Sequence, residues 1–295
     1  MTELFGRKLE LVLIDADGEA RDYANLNVQF EIERIRGSRL NTAHVTIYNL
    51  LNETAEILAR GNQRVRISAG YESRFGVIFD GRVRTSFTRR EGADRITEMF
   101  ADDGGIDFQR AIVNLSFKEG ATLSQVVDGV LGSFSGIAAP DLSRLEDRTL
   151  SGSQHFTGMA RDVMEDLARA YGFTWGIQSG ELEIVRRGKS NGKTPVDITR
   201  DTGMIGSPTT RQDQQVEVKT LLHPGIVPSG QIRIETAGAI VQADAGTAVT
   251  QDANRIVQDV NKGEFFCHRV IHEGETRGQA WYTTAIAQRS IGGVT

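Results

Sequence analysis

The strongest constraint on how this chain can fold is the alternation of apolar and polar residues between positions 41 and 90. A period of two places successive side chains of a strand on opposite faces, so this stretch predicts three half-buried β-strands. We expect a turn at residues 72–76, and a short helix that Asn52 caps and Gly61 ends in a left-handed conformation. The alternating apolar positions are Val45, Ile47, Val65, Ile67, Ala69, Val77, Phe79, Gly81 and Val83.

The same alternation marks strands elsewhere in the first and last thirds of the chain. The predicted strands are residues 7–14, 27–35, 95–101, 215–222, 231–237, 263–274 and 279–289. A polar turn at 273–278 separates the last two. Residues 238–262 are ambiguous, and a short helix at 247–261 is one interpretation of them. Thirty-two glycines scattered between these segments are typical of the many turns of a β-rich fold.

The middle third has helical periodicity instead. One predicted helix has its apolar face at Leu123, Val126, Val127, Val130, Leu131 and Phe134. Thr122 and Gln125 form a capping box at its start. A second helix is predicted with Thr157 as its cap, Gly172 at its end, and a face made of Met159, Val163, Leu167 and Ala170. A hairpin follows at 173–185, with its turn at 179–180.

These patterns predict a mainly β protein with an α+β middle. We place the boundaries at residues 1–103, 104–202 and 203–295, which suits a 295-residue chain of roughly two or three domains.

The composition limits the functions that the chain can have. Its net charge is −5 and its pI about 5.7, which argues against a nucleic-acid-binding surface, since such a surface needs a basic footprint. A single cysteine, Cys267, excludes a disulfide within the chain. No run approaches the ~18 apolar residues of a membrane helix, and the start lacks a signal-peptide core. We therefore expect no membrane segment and folding in a cytoplasm.

A polar basic loop at residues 186–194 contains GKSNGKT, which invites comparison with a phosphate-binding loop. That motif needs an earlier glycine where Arg187 or Glu183 stands, and Pro195 blocks an early continuation into a helix. A solvated loop is therefore the favoured interpretation.

Two acidic segments suggest cation sites, but neither is convincing. DADGE at residues 15–19 resembles the start of a calcium loop, yet the required glutamate position holds Leu26. DDGG at 102–105 could hold a cation or mark a junction between domains. We therefore predict no metal-binding residue.

The histidines and the cysteine do not form a reactive pattern. His268 and His272 are predicted to share one strand face without the helical context of a zinc site, and His268 to lie opposite Cys267. We interpret Cys267 as a small core residue, and the histidines as surface or hydrogen-bonded ones. The histidines are His44, His155, His223, His268 and His272. No catalytic or cofactor-binding residue is predicted.

A family resemblance rests on structural motifs along the whole chain. The first is a strand that ends in Tyr48, Asn49 and Leu50, followed by a short helix, the segment ISAGY at 67–71, and Phe79 with Gly81. The others are FKEGATLSQVVDGVL, MEDLARAYGFTWGIQSGELEIV, VEVKTLLHPGIVPSGQIRIETA and GEFFCHRVIHEGETRGQAWYTTAIA. With these the chain resembles the baseplate hub proteins of contractile-tailed bacteriophages (the late control D-like group) and the hub regions of secretion-system spikes.

The resemblance implies two tube-like antiparallel β-barrel domains, one on each side of the small α+β domain. It also implies a homotrimer that forms a pseudo-six-fold ring between the hexameric tail tube and the trimeric central spike. Tail tube, spike and other baseplate or tape-measure proteins would be its partners. DNA would pass through an acidic lumen without specific binding, because fixed negative charge repels phosphate. The expected location is the virion tail baseplate, after assembly in the host cytoplasm.

Two other functions remain open at this stage. A tail-associated peptidoglycan hydrolase would need paired carboxylates, which 39 acidic residues do not exclude. A receptor- or carbohydrate-binding module would use aromatic platforms, but Trp175 and Trp281 lie in predicted strands and are more typical of a core. The lack of a long C-terminal needle predicts a stand-alone hub, and no enzyme activity and no cofactor are expected.

Overall fold

The structure, a computed structural model, describes residues 6–15, 18–134, 140–210, 215–235, 242–243 and 262–289. Strands account for 54% of the chain and helices for 14%, so the protein is mainly β, as predicted. The ambiguous residues 238–262, including the suggested helix at 247–261, lie almost wholly outside the described residues.

The first third contains seven strands and a helix. They are β1 (Arg7–Ile14), β2 (Ala20–Asp22), β3 (Val28–Ile35), β4 (Thr42–Tyr48), α1 (Asn52–Ala59), β5 (Arg64–Tyr71), β6 (Arg74–Glu91) and β7 (Asp94–Asp102).

The middle third contains α2 (Gly105–Arg110), β8 (Ile112–Phe117), α3 (Leu123–Leu131), a 3₁₀ turn (Leu142–Arg144), β9 (Gln154–Met159), α4 (Ala160–Tyr171), β10 (Phe173–Gln178) and β11 (Glu181–Arg186). The ribbon of β8 and β9 was not predicted.

The last third contains β12 (Val196–Ile198), β13 (Met204–Thr210), β14 (Gln215–Leu221), β15 (Gln231–Glu235), β16 (Gln242–Ala243), β17 (Lys262–Glu275) and β18 (Trp281–Arg289).

The first and last thirds share one 14-stranded sheet rather than forming two separate ones. Its order is β16-β13-β14-β18-β17-β3-β4-β7-β6-β5-β1-β2, with β15 also paired to β17, and β12 to β15. The two thirds meet where β17 pairs with β3 from Arg269 with Ile35 to Glu275 with Gln29. Among the described residues the sheet order is open at both ends, so the arrangement as two tube-like barrels stays a proposal.

The strand order of the first third is repeated in the last third. The order β3-β4-β7-β6-β5 corresponds to β13-β14-β18-β17-β15, strand for strand and in the same sequence along the chain. Even the irregularities correspond: β6 has a bulge against β7 between Val83 and Thr85, and β17 has one against β18 between Cys267 and Arg269. The alternation pattern did not reveal this repeat.

Most predicted strands are confirmed, but the predicted side-chain orientation of Val77 is wrong. Val77 was predicted to share a face with Phe79, yet it is 42% exposed while Ile78 is fully buried. The reason is a register shift, because Ile67 pairs with Phe79 and the next residue, Ser68, pairs with Val77. The extra residue reverses the alternation. The turn is also tighter than residues 72–76, since Tyr71 already pairs with Arg74.

Buried residues form three clusters along the chain. One belongs to the first third and also contains Leu222 and Trp281, the second to the middle, and the last to strands β12 to β18. The three proposed domain boundaries remain predictions.

Candidate functional site

The large sheet has one dry face and one polar face. On β14, β18, β17, β3, β4, β7 and β6, alternate residues enter the cores, and the residues between them lie on the opposite side. We call that opposite side the polar face. Its members include Gln29, Glu31, Glu33, Thr42, His44, Thr46, Tyr48, Thr85, Phe87, Arg89, Glu98, Phe100, Gln215, Glu217, Lys219, Arg269, Ile271, Glu273, Glu275, Tyr282, Thr284 and Gln288. It spans both thirds of the chain without interruption.

In the half of the polar face that belongs to the first third of the chain, side chains are held in place by contacts with one another. His44 stacks on Phe100, with ring centroids 4.4 Å apart, and its Nε2 lies 3.2 Å from Oε2 of Glu98. Arg89 forms an ion pair with Glu98, and Phe87 stacks on Phe100 at 5.9 Å. This half of the face is therefore a built surface with defined side-chain positions.

The half of the polar face that belongs to the last third of the chain has contacts of the same kind. Nε of Arg269 lies 2.7 Å from Oε1 of Glu33, which ties β17 to β3. Nζ of Lys219 lies 3.3 Å above the ring of Tyr282, a cation–π contact.

The two halves meet at a pair of like charges. Glu31 and Glu273 are directly opposite one another across β3 and β17. Burial raises the pKa of Glu273, and the nearby Glu31 raises it further, while Lys219 lowers it. Like charges in such a position destabilise a sheet, so the fold alone gives no reason for them. Glutamates outnumber the lysine and arginines on the polar face, which gives it an acidic character.

A buried polar network joins the first third to the middle. The backbone N–H of Asn41 donates to Oδ1 of Asp103 at 3.0 Å, its Nδ2 donates to Oδ2, and the backbone N–H of Ser179 donates to Oδ2 at 3.2 Å. Burial raises the pKa of Asp103 to about 7, although these three N–H donors and Arg34 oppose the rise. DDGG at 102–105 therefore lies at a junction of structural units.

Arg36 lies where all three parts of the chain meet. It donates from Nη2 to Oγ1 of Thr174 at 3.0 Å and to the backbone oxygen of Arg186 at 3.2 Å, and it stacks on Phe266 at 4.6 Å. A Cβ atom at Gly176 would be 2.1 Å from the backbone oxygen of Gly37, so this junction requires a glycine.

His272 and His268 have different environments. His272 is fully buried, and its Nδ1 lies 2.9 Å from Oγ1 of Thr283. His272 is therefore a hydrogen-bonded histidine, as predicted, although its Nε2 has no partner among the described residues. His268 is exposed because it occupies the bulge of β17.

Cys267 is confirmed as a core residue. It is fully buried, and burial raises the pKa of its thiol to about 12. Its side chain lies on the dry face of β17 among the apolar residues of the last cluster.

The segment that was compared with a phosphate-binding loop is part of the structural framework. The segment GKSNGKT is a loop in which Asn191, 1% exposed, donates from its backbone N–H to the oxygen of Ser229 at 2.7 Å. Within the described ranges, no group of three or more His, Cys, Asp or Glu side chains is placed to hold a metal ion. In the same ranges, no helix has the length and apolar character needed to cross a membrane.

Sequence reasoning did not identify the polar face as a site. The polar positions of the alternating strands carried the signal, because Glu31, Glu33 and Glu273 stand between buried residues. Only the pairing of β17 with β3 brings them together.

No protein-family model and no curated protein matches the sequence. Solved structures do match along almost the whole chain. The 43 kDa tail protein of prophage MuSo2 from Shewanella oneidensis has a TM-score of 0.62 and 12% identity, over 96% of this chain and 97% of its own. The tail protein from Neisseria meningitidis MC58 has a TM-score of 0.62 and 10% identity, over 97% of both chains.

A secretion-system protein has the same fold. The E. coli c3393 protein, a type VI secretion component described as structurally similar to the T4 tail proteins gp27 and gp5, has a TM-score of 0.55 and 11% identity. The match covers 96% of this chain and 76% of that one. The resemblance to tail hub proteins that the sequence indicated is thus confirmed at the level of the fold.

Proposed function

We propose that this protein is a structural hub of a phage-type tail baseplate. Three copies would form a pseudo-six-fold ring between a hexameric tail tube and a trimeric central spike. The first and last thirds would act as two equivalent tube-like units, so that three copies present six of them. The fold shared with phage tail proteins supports the general role, and the repeated strand order supports the ring.

The junction of β17 with β3 carries this proposal. Residues 262–266 of β17 pair with β15, and residues 269–275, beyond the bulge, pair with β3. In β6, the equivalent strand, residues 74–82 pair with β5, but 85–91 have no second strand partner among the described residues. The equivalent of β3 is β13, whose residues 204 and 205 likewise have only one strand partner there.

Repetition of this junction between copies would close a ring. The second half of β6 in one copy would pair with β13 of the next, as β17 pairs with β3 within each chain. Such a head-to-tail contact gives a closed ring when the rotation between neighbouring copies is a whole fraction of a full turn. The contact also covers unpaired strand edges. The strand segments that would pair each expose a large apolar side chain: Phe87 in the second half of β6 (49%) and Ile205 on β13 (39%).

The ring can be tested by the mass of the purified chain. Light scattering over a concentration series is expected to give about three times 32.4 kDa for the wild type. We expect Phe87→Lys with Ile205→Lys to give the monomer, with an unchanged circular dichroism spectrum. Ile112→Lys is the matched control, because Ile112 is 70% exposed but lies on β8, outside the large sheet. A trimer that survives the double substitution, or a wild type without any trimer, would contradict the proposed contact.

We propose a structural role without catalysis, and an acidic lumen lined by the polar face. Zymography on purified cell wall is expected to show no clearing. Clearing that disappears when one carboxylate is mutated would instead establish a hydrolase. The proposed partners are the tail tube, central spike and other baseplate or tape-measure proteins, and the proposed location is the virion tail, after assembly in the host cytoplasm.

A further inference from the structure

A cleft of about 770 Å³ lies where the three parts of the chain meet. The loop after β3, the end of α4, the start of β10 and the bulge of β17 form its walls. Its volume falls in the range of ligand sites, roughly 300–1,000 Å³. The residues within it belong to a single chain, so the site does not depend on the ring proposed above.

Hydrogen-bond donors dominate the cleft. Arg36, Arg39, Arg187, Arg269 and His268 line it, against the carboxylates of Glu33 and Glu165. Glu33 is already engaged by Arg269 at 2.7 Å. Because a guanidinium only donates hydrogen bonds, this lining favours a ligand rich in acceptors and negative charge.

The wall of the cleft includes one buried aromatic residue and a concentration of positive charge. Trp175 lines the cleft and is 2% exposed, and its Nε1–H has no hydrogen-bond partner among the described residues. Partial burial lowers the pKa of His268, and the nearby charges of Arg36 and Arg39 lower it further.

We propose that this cleft binds an acidic peptide segment of a partner protein. Planar guanidinium groups match carboxylates in a two-point geometry, and arginines on different elements suit carboxylates spaced along an extended chain. Glu31 and Glu273 continue the sheet beside the cleft, so a short segment confined to the cleft is favoured over a duplex that would extend along the sheet.

The test measures the binding of acetylated hexaglutamate to the full-length chain by isothermal titration calorimetry. We expect saturable binding at low ionic strength. Arg39→Glu with Arg187→Glu should weaken it at least tenfold. Arg277→Glu, at an exposed arginine outside the cleft, is the matched charge control and should change the affinity less than twofold. If the double variant does not fold, Arg39→Gln alone should weaken binding at least threefold.

Several results would overturn the proposal. They are no saturable binding, an equal loss in Arg277→Glu, or an unaffected Arg39→Gln variant. Inorganic phosphate or a duplex oligonucleotide that produces the same signal at the same concentration would also do so. The same signal from phosphate would indicate a small-anion site, and the same signal from the oligonucleotide would indicate a nucleic-acid surface.

Discussion

At the scale of single residues, the most unusual group is His272. It lies fully buried on β17, bonded through Nδ1 to Thr283, whose hydroxyl also accepts the backbone N–H of His223 at 3.0 Å. Burial lowers the pKa of His272 well below its ordinary 6.5, and the charges of Arg34 and His223 lower it further. The folded protein therefore binds a proton at this site less readily than the unfolded chain does.

This predicts a stability that falls in acid. A histidine whose pKa is lower in the folded state does not change the free energy of unfolding above about pH 6.5. Below that pH it lowers the free energy of unfolding by about 1.4 kcal/mol per pH unit, until the pH reaches the pKa of the folded state. Between pH 6.5 and pH 5 we expect the wild type to lose more stability than His272→Gln, which keeps a polar side chain but does not titrate. Urea unfolding at several pH values measures both proteins.

Titrating groups that do not interact with residue 272 cancel in this comparison because both proteins contain them. Burial lowers the pKa of His223 to about 4, which acts in the same direction. Burial raises the pKa of Asp103 to about 7, so that stability declines as pH rises from about 4 to about 7, the opposite direction. Parallel pH profiles for the wild type and His272→Gln would contradict the assignment to His272.

At the scale of elements, helix ends show where local sequence suffices. The capping box of α3 is confirmed: Thr122 accepts from the N–H of Gln125, and Gln125 accepts from the N–H of Thr122. Gly172 ends α4 in the left-handed region, as predicted. Gly61 after α1 is also left-handed, as predicted, with φ +72°. The other two predicted N-caps are wrong. Thr157 lies within β9, and Asn52 is already inside α1 and bonds to Arg95 instead.

The confirmed cap has a measurable contribution. We expect Thr122→Ala to lower the free energy of unfolding by about 1 kcal/mol, because the first turn of α3 loses a hydrogen-bond acceptor. Thr122→Ser keeps the hydroxyl and should remain within about 0.5 kcal/mol of the wild type. Urea unfolding compares the three proteins, and an equal loss in Thr122→Ser would assign the effect to packing of the methyl group.

At the scale of the whole molecule, the continuous polar face is the main consequence of the fold. The repeated strand order gives each third the same kind of unit, and the pairing of β17 with β3 joins their polar sides. The like-charged pair Glu31 and Glu273 lies at that join. An acidic wall of this kind would let DNA slide past without adhesion.

Reversing that charge should create DNA affinity. We expect Glu31→Lys with Glu273→Lys to retain duplex DNA at low salt, with binding that weakens as salt rises, whereas the wild type does not bind. Glu53→Lys with Glu56→Lys changes the net charge equally on the exposed side of α1 and should not bind. Filter binding across a salt series measures all three. Equal retention by both variants would show that net charge, and not the polar face, governs DNA contact.

The sequence by itself determined the mainly β character, most strand positions and the helical face of α3. Each depends on neighbours within a few residues, because side-chain alternation and capping are local properties. Tertiary structure alone decided the reversal at Val77, the pairing of β17 with β3 and the meeting of Glu31 with Glu273. A bulge changes register by one residue, and strand partners more than 200 positions apart leave no periodic trace in the sequence. The polar face, and any function that rests on it, therefore arises from strand pairing, although its residues are visible in the sequence.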